Sequence, residues 1–290
     1  MDVTFVTCSS LRDLDPDDLL AFRCLEKHQI RCASAVWNDP VVNWSHSRMI
    51  LLRSTWDYHL HSEEFLHWAE SCGPRLANPF SLVSWNHHKG YLLDLHKQGV
   101  PTIPTVLVRK DSAADDTFAG WNEVVIKPAI GLATHGVKRF SLHDQSQRGE
   151  AQQHITVLSK TNDVLIQPFM PSVSEYGERA LVFFDGEYSH AVRKTAFQAL
   201  AVAGQAGETS VEALPDEIAL GLQALAVLAE TPLYARVDIV RDGNKQPTVM
   251  ELELIEPSLF LAFDAAAPER FTAAIQKRLS TQSTYLARSD

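Results

Sequence analysis

The chain has 290 residues, of which 45% are hydrophobic and 21% are charged, a balance typical of globular proteins. Its length suffices for two or three lobes that share a cleft. The net charge of −10 argues against nucleic-acid binding, which normally needs a basic surface, although local cations and metal ions can still hold a nucleotide. No stretch approaches the ~20 apolar residues of a membrane helix, and the amino terminus lacks signal-peptide features, so we expect a cytoplasmic protein with no membrane partner.

The first 78 residues alternate strand and helix patterns. The segments DVTFVTC, RCASAVW and RMILLRS predict strands, and DPDDLLAFRCLEKHQI and SEEFLHWAESCG predict helices. This alternation is typical of a parallel sheet, so we predict an α/β lobe over residues 1–78, on the substrate side of the protein. Arg53, Trp56 and Asp57 follow the third strand, where parallel sheets bind ligands. Arg53 is therefore a candidate to hold a substrate carboxylate, with Trp56 and Asp57 as further contacts; the alternative is an Arg–Asp pair among core aromatics.

The rest of the chain is rich in strands. The segments TIPTVLV, EVVIKPA and DVLIQPFM predict strands of a central lobe over residues 79–170. Two hairpins, ERALVFFDGEYSHAVRKT and YARVDIVRDGNKQPTVMELELIE, flank a predicted helix in a carboxyl-terminal lobe over residues 171–290. Residues 198–212 are small and rich in glycine, which predicts a mobile loop.

The second hairpin carries the strongest chemical signal. Glu251 and Glu253 lie on one face of a strand because side chains alternate along it. If residues 243–246 form the turn, Asp238 lies opposite Glu251 on the partner strand. Three converging carboxylates require a cation, and hard oxygen ligands suit Mg²⁺ or Mn²⁺. The alternative is a solvated acidic face with Arg236 as its counterion.

Single lysines and a short connector are weaker signals. Lys127 ends a strand before a loop with glycines, which is a plausible phosphate contact, but taken alone the pattern favours an ordinary edge-strand lysine. Lys89 lies near a helix start, and by itself this position favours a surface lysine. The segment IQPFM, with Gln167, Phe169 and Met170, is compatible with an interlobe connector beside an aromatic base or with a simple edge strand.

Taken in order, these features resemble the ATP-grasp superfamily, in the branch of bacterial glutathione synthetase and the ribosomal-protein glutamate ligases. The resemblance spans the chain, but only residues after about 78 match specific motifs. It implies an ATP cleft between lobes. It also implies that Lys89 and Lys127 bind phosphate, that Gln167, Phe169 and Met170 contact adenine, that Glu178 lies near the ribose, and that Asp238, Glu251 and Glu253 hold Mg²⁺.

The sequence departs from that branch at one metal position. The branch usually has Glu-x-Asn where this chain has Glu251 and Glu253, which puts close kinship to glutathione synthetase in doubt. The segments LELIEPSLFL and STWDYH are more similar to a smaller subgroup of amino-acid-metabolism ligases that includes a cycloserine-forming ligase.

The resemblance implies an ATP-dependent ligase. A substrate carboxylate would attack ATP to form an acyl phosphate, which a nitrogen nucleophile from a second molecule or from the same molecule then displaces. Lys194 would offset phosphate charge, and Arg53 or Arg236 would orient the acyl phosphate. Glu256 and Ser258 would face a small amino-acid-like substrate.

Two other functions remain open at this level: a regulatory nucleotide-binding module of the same fold without catalysis, and an acidic protein-interaction domain. A homo-oligomer is compatible with the sequence.

Overall fold

The computed structural model describes residues 1–112, 118, 120–132, 135–194 and 207–286. It contains a three-stranded, a four-stranded and a five-stranded sheet. The predicted α/β class, with a parallel sheet at the amino terminus and antiparallel sheets after it, is confirmed. Among the described residues, no helix has the length and apolar content needed to cross a bilayer.

The amino-terminal sheet is parallel, with strand order β2-β1-β3. Helix α1 begins after Asp15, whose carboxylate accepts a hydrogen bond from the amide of Asp17, and it has proline in its first turn. The elements are β1 (Val3–Thr7), α1 (Pro16–Lys27), β2 (Cys32–Val36), β3 (Met49–Ser54) and α2 (Ser62–Cys72).

The second sheet is antiparallel, with order β4-β7-β5-β6. Two short helices precede it, α3 (Phe80–Asn86) and α4 (Tyr91–Lys97). Its elements are β4 (Val106–Val108), β5 (Glu123–Pro128), β6 (Lys138–Ser141), α5 (Gln145–Leu158) and β7 (Val164–Pro168).

The third sheet is also antiparallel, with order β10-β9-β8-β11-β12. Its elements are α6 (Ser172–Glu175), β8 (Glu178–Phe184), β9 (Glu187–Lys194), β10 (Glu208–Val211), α7 (Pro215–Ala226), β11 (Tyr234–Arg241), β12 (Pro247–Glu253) and α8 (Ala267–Leu286). The predicted loop over residues 198–212 is wrong for Glu208–Val211, because these residues pair with β9 as an edge strand. Residues 198–206 lie outside the described part of the chain.

The segment before the second sheet packs on the third one. Leu82, Tyr91, Leu92 and Leu95 share a buried cluster with strands of the five-stranded sheet. This packing covers the outer edge of β12, whose backbone groups would otherwise lack partners. The lobe boundaries after residues 78 and 170 stay a prediction.

Candidate active site

A cleft of about 590 Å³ lies where the three sheets meet. The four-stranded sheet contributes Lys127 and Gln167 to its lining, and the five-stranded sheet contributes the charged face of the β11–β12 hairpin. From the amino-terminal lobe, Tyr58 reaches the same space. The cleft therefore joins most of the residues that the sequence singled out.

The β11–β12 hairpin brings the three predicted metal carboxylates to one face. Asp238 lies directly opposite Glu251, as predicted, and Arg236 lies opposite Glu253. The predicted turn at residues 243–246 is wrong by one residue, because Arg241 pairs with Pro247 and the turn therefore spans residues 242–246. The register shifts between Asp238 and Ile239, where a bulge leaves Met250 without a paired residue. Glu251, Glu253 and Arg236 line the cleft, whereas Asp238 lies beneath them at 1% exposure.

Each carboxylate of this face contacts a protein cation. Glu251 pairs with Lys89, and Glu253 pairs with Arg236. Asp238 accepts from the guanidinium of Arg236 at 2.9 Å and from Nζ of Lys194 at 2.8 Å. The face is thus a dense network of alternating charge inside a cleft and not the solvated surface of the alternative interpretation.

Burial and these cations act in opposite directions on the carboxyl groups. Burial opposes ionisation of Asp238, but Arg236 and Lys194 hold its pKa well below the usual range. Burial has the same effect on Glu251, yet Lys89 and Lys127 lower its pKa to about 2. For Glu178, burial dominates over its ion pair with Lys194 and raises the pKa to about 7.

The two predicted phosphate lysines both line the cleft. Lys127 is 6% exposed, and burial lowers its pKa, with Glu251 as the main opposing charge. It has no ion-pair partner among the described residues, so its ammonium is available to an anion in the cleft. The backbone amide of Lys89 donates to the carbonyl of Ala129 at 2.8 Å, which ties this segment to the loop after β5.

The predicted connector leads from the four-stranded to the five-stranded sheet and borders the cleft. Gln167 is buried and donates from Nε2 to Oγ1 of Thr105 at 2.9 Å. The guanidinium of Arg139 stacks on the ring of Phe169 at 3.5 Å from its centre. Met170 also lines the cleft. This wall offers apolar and planar surface to an aromatic base.

Four predicted substrate residues are placed differently. Arg53 is 2% exposed and donates to Asp18 at 2.8 Å and to the carbonyl of Pro257 at 2.6 Å, next to the ring of Tyr234. The structure therefore favours the alternative of an Arg–Asp pair beside aromatics, since two of the three guanidinium nitrogens are already engaged.

The other three lie outside the cleft lining. Asp57 accepts a hydrogen bond from Nε1 of Trp37 at 2.8 Å, and Trp56 and Ser258 do not line the cleft. Strand β3 ends inside the lobe core, so the chain reaches the cleft only at Tyr58. Among the described residues, Ser258 offers only its carbonyl to the network, to Arg236 at 3.3 Å.

Three further residues line the end of the cleft that borders the amino-terminal lobe, which we call the amino-terminal end: Tyr58, His87 and Glu256. Glu256 is 7% exposed and lines the cleft, and its predicted role towards the substrate stays a prediction. Tyr58 and His87 were not predicted; their rings lie 5.6 Å apart. Their position follows from tertiary packing, and the only signal in the sequence is that His87 lies two residues before Lys89.

Comparisons with known proteins show which family the chain resembles. A family model described as the N-terminal domain of D-cycloserine synthetase DcsG matches residues 3–78. The chain is 35% identical over 263 residues to the cycloserine biosynthesis protein DcsG of Streptomyces lavendulae, covering 84% of this chain and 87% of that protein.

Solved structures show the same relationship. The crystal structure of D-cycloserine synthetase DcsG aligns with a TM-score of 0.86 and 31% identity over 96% of this chain and 100% of that one. A D-alanine–D-alanine ligase from Bacillus anthracis complexed with ATP shares the fold alone, with a TM-score of 0.68 and 16% identity over 100% of this chain and 99% of that one. These similarities support an ATP-dependent, ADP-forming ligase and not a purely regulatory module.

Proposed function

Because the chain belongs to the DcsG family of ATP-grasp ligases, we propose that it forms a carbon–nitrogen bond on a small amino-acid-like substrate through an acyl phosphate. The observation that carries this proposal is the joint placement of Asp238, Glu251 and Glu253 with Lys89 and Lys127 around one cleft. Carboxylates for a metal ion and lysines for phosphates are the groups that phosphoryl transfer requires.

The donor set fits a hard divalent cation. Asp238, Glu251 and Glu253 offer only carboxylate oxygens, which Mg²⁺ and Mn²⁺ prefer, and Mg²⁺ is commonly shared between protein carboxylates and nucleotide phosphates. When bound, the ion would neutralise charge on the phosphates. Lys89, Lys194 and Arg236, which pair with these carboxylates in the structure, can turn to phosphate oxygens instead.

The chain's own residues would then position the reactants. Gln167, Phe169 and Met170 border the space for the adenine, with Glu178 beside the ribose. Lys89 and Lys127 would bind phosphate oxygens. Arg236 and Lys194 lie within the carboxylate network and would stabilise negative charge that develops on the transferred phosphoryl group.

Similarity to D-cycloserine synthetase favours ring closure as the particular reaction. In that case the carboxylate and the attacking nitrogen belong to the same molecule. The carboxylate oxygen attacks the γ-phosphorus of ATP and ADP leaves; the nitrogen then attacks the acyl carbon, phosphate leaves, and the nitrogen gives up a proton. The cleft must exclude water during this sequence because water would hydrolyse the acyl phosphate.

An ADP-release screen across amino acids and small dicarboxylates tests the proposal. We expect release that depends on one amino-acid-like compound, and mass spectrometry of the product separates ring closure within one substrate from condensation of two. Binding of ATP without ADP release on any compound of the panel would refute the ligase function.

We also propose a cytoplasmic location. Its support is the dependence on ATP and the free state of Cys8, Cys24, Cys32 and Cys72. Cell fractionation tests it, and recovery of the protein outside the cytoplasm would contradict it.

A further inference from the structure

Two polar side chains at the amino-terminal end of the cleft lack partners. Nε2 of His87 is buried and makes no hydrogen bond, although the residue is only 6% exposed and lines the cleft. Glu256 is 7% exposed and also lines the cleft, and among the described residues no side chain forms an ion pair with it. Tyr58 connects the two: its ring lies 5.6 Å from that of His87, and burial together with the charge of Glu256 raises its pKa. Buried polar groups normally have partners, so a ligand group is the natural complement for this pair.

The protein cations near Glu256 are already engaged. Lys89 pairs with Glu251, Arg236 pairs with Asp238 and Glu253, and Arg53 pairs with Asp18. Of the acidic side chains Glu178, Glu251, Glu253 and Glu256, only the last has no ion-pair partner in the described part of the chain. Glu256 is therefore left without a counterion from the described part of the chain.

The two residues are held by the same scaffold. Asn86, which precedes His87, donates from Nδ2 to the carbonyl of Leu252 at 2.8 Å and accepts from the amide of Leu254 at 2.9 Å. These bonds fix the end of α3 against β12, the strand that leads into Glu256. The ring of Tyr58 packs against His87 from the amino-terminal lobe. We call the space beside His87 and Glu256 the corner; it is bordered by the end of α3, by the segment after β12 and by Tyr58 of the amino-terminal lobe.

The acceptor groups of His87 and Glu256 favour a ligand group that is positively charged and donates hydrogen bonds. Burial lowers the pKa of His87 to about 4, with further effects from His88 and Lys89, so the imidazole is neutral and one ring nitrogen is an acceptor. Burial raises the pKa of Glu256 to about 8, and the neighbouring charge of Glu253 adds to this. A bound cation would favour the ionised form of Glu256 and would supply the charge that burial otherwise penalises.

We propose that His87 and Glu256 form a subsite for the ammonium group of the substrate. This inference rests on the proposed function and assigns His87 and Glu256 to the amine of its amino-acid-like substrate. A primary ammonium has three N–H donors, which suit the carboxylate of Glu256 and Nε2 of His87 as acceptors. The amine held at this end leaves the carboxylate of the same molecule free to face Arg236 and the phosphate lysines.

Paired probes that differ only in the amine test the subsite. We choose D-cycloserine against isoxazolidin-3-one, and D-alanine and D-serine against propanoate and 3-hydroxypropanoate, each measured by calorimetry with ADP and Mg²⁺ present. A hydrogen-bonded ion pair predicts that at least one amine-bearing probe binds about 10- to 100-fold more tightly than its desamino partner.

Variants of Glu256 and His87 test whether these residues cause the preference for amine-bearing probes. Glu256→Gln and His87→Phe should each reduce the ratio between amine and desamino probes by about 10-fold or more while ADP still binds. His88→Gln is the matched control, since His88 pairs with Asp163 and lies outside the corner, and its ratio should equal that of the wild type. The retained ADP affinity shows that a variant is folded, and if Glu256→Gln does not fold, His87→Phe decides alone.

Equal binding of amine and desamino probes to the wild type overturns the subsite. Failure of every amine-bearing probe to bind overturns it as well, and so does an unchanged ratio in the folded variants. The proposed function is judged separately by ADP release. An amine preference that depends on Glu256, without ADP release on any probe or amino acid, would keep the subsite and reject the ligase reaction.

Discussion

Replacing Glu251 with glutamine tests both the charge network and the metal site. Interaction with Lys89 and Lys127 lowers the pKa of Glu251 from 4.5 to about 2, although burial opposes this. At roughly 1.4 kcal/mol for each tenfold change in acidity, the ionised carboxylate contributes about 3 kcal/mol to the free energy of unfolding at pH 7. The glutamine variant loses this contribution and leaves Lys89 without its partner.

The sign of the pH dependence follows from the lowered pKa. The stabilisation is present above the pKa of the unfolded chain, 4.5, and disappears as the pH falls towards 2. The difference in free energy of unfolding between wild type and Glu251→Gln should therefore be about 3 kcal/mol at pH 7 and should shrink below pH 4.5. Urea denaturation at several pH values measures it. Glu187→Gln is the matched control, because Glu187 is exposed on β9, and it should change stability by less than about 0.5 kcal/mol.

The same variant should lose nucleotide chemistry. Loss of a preorganised charged group costs about 10²–10³ in kcat, and here the ATP-dependent rise in melting temperature in Mg²⁺ should fall as well. Wild-type kcat in Glu251→Gln, with a normal Mg²⁺ dependence, would refute the metal assignment. A variant as stable as the wild type at pH 7 would refute the ion-pair argument, irrespective of the activity.

Lys127→Met should raise the KM for ATP about 10- to 100-fold in steady-state assays because a buried phosphate donor is lost, while Lys110→Met should not; equal KM values would contradict the role of Lys127. Chelation of divalent cations should abolish ADP release and restoration of Mg²⁺ should return it, so activity that persists in excess chelator would contradict the metal site. Asp18→Asn should lower the free energy of unfolding by about 3–5 kcal/mol, since Arg53 would stay buried without its counterion. Asp17→Asn should instead raise the free energy of unfolding by about 1–3 kcal/mol above pH 6 and leave it unchanged below pH 4, because burial raises the pKa of Asp17 to about 6. Denaturation at pH 4 and pH 8 distinguishes the Asp17 variant from the Asp18 variant. Equal effects of the two substitutions would contradict the reasoning.

Local patterns in the sequence predicted much of the charged hairpin. Strand alternation placed Glu251 and Glu253 on one face. The predicted turn at residues 243–246 is one residue shorter than the observed turn, and the bulge at Met250 compensates for the difference, so that Asp238 still lies opposite Glu251. Such relations depend on backbone geometry over a few residues. The bulge at Met250 was not foreseeable in this way, since a bulge arises from how a strand fits its neighbours.

Positions that depend on contacts between distant segments were predicted less well. Arg53 follows a parallel strand, where ligand contacts are frequent, but Asp18 from α1 and the carbonyl of Pro257 engage it instead. His87 had no pattern to mark it, because its place in the cleft depends on Asn86 binding the backbone of β12. The sequence thus predicted the geometry within one hairpin, whereas the places of Arg53 and His87 depend on contacts between distant segments that no local pattern marks.

Glu253 replaces the asparagine of the related branch, and its effect has to be considered together with Arg236. The two residues are cross-strand neighbours and form an ion pair, so the additional negative charge has a cation directly opposite. The guanidinium also binds Asp238 at 2.9 Å, and it is therefore shared between two carboxylates of the site. Without Glu253, Arg236 would pair with Asp238 alone and would compete more strongly with a metal ion for that carboxylate. If Asp238 holds a metal ion as proposed, the glutamate weakens this competition, which gives a physical reason for an acidic residue at this position.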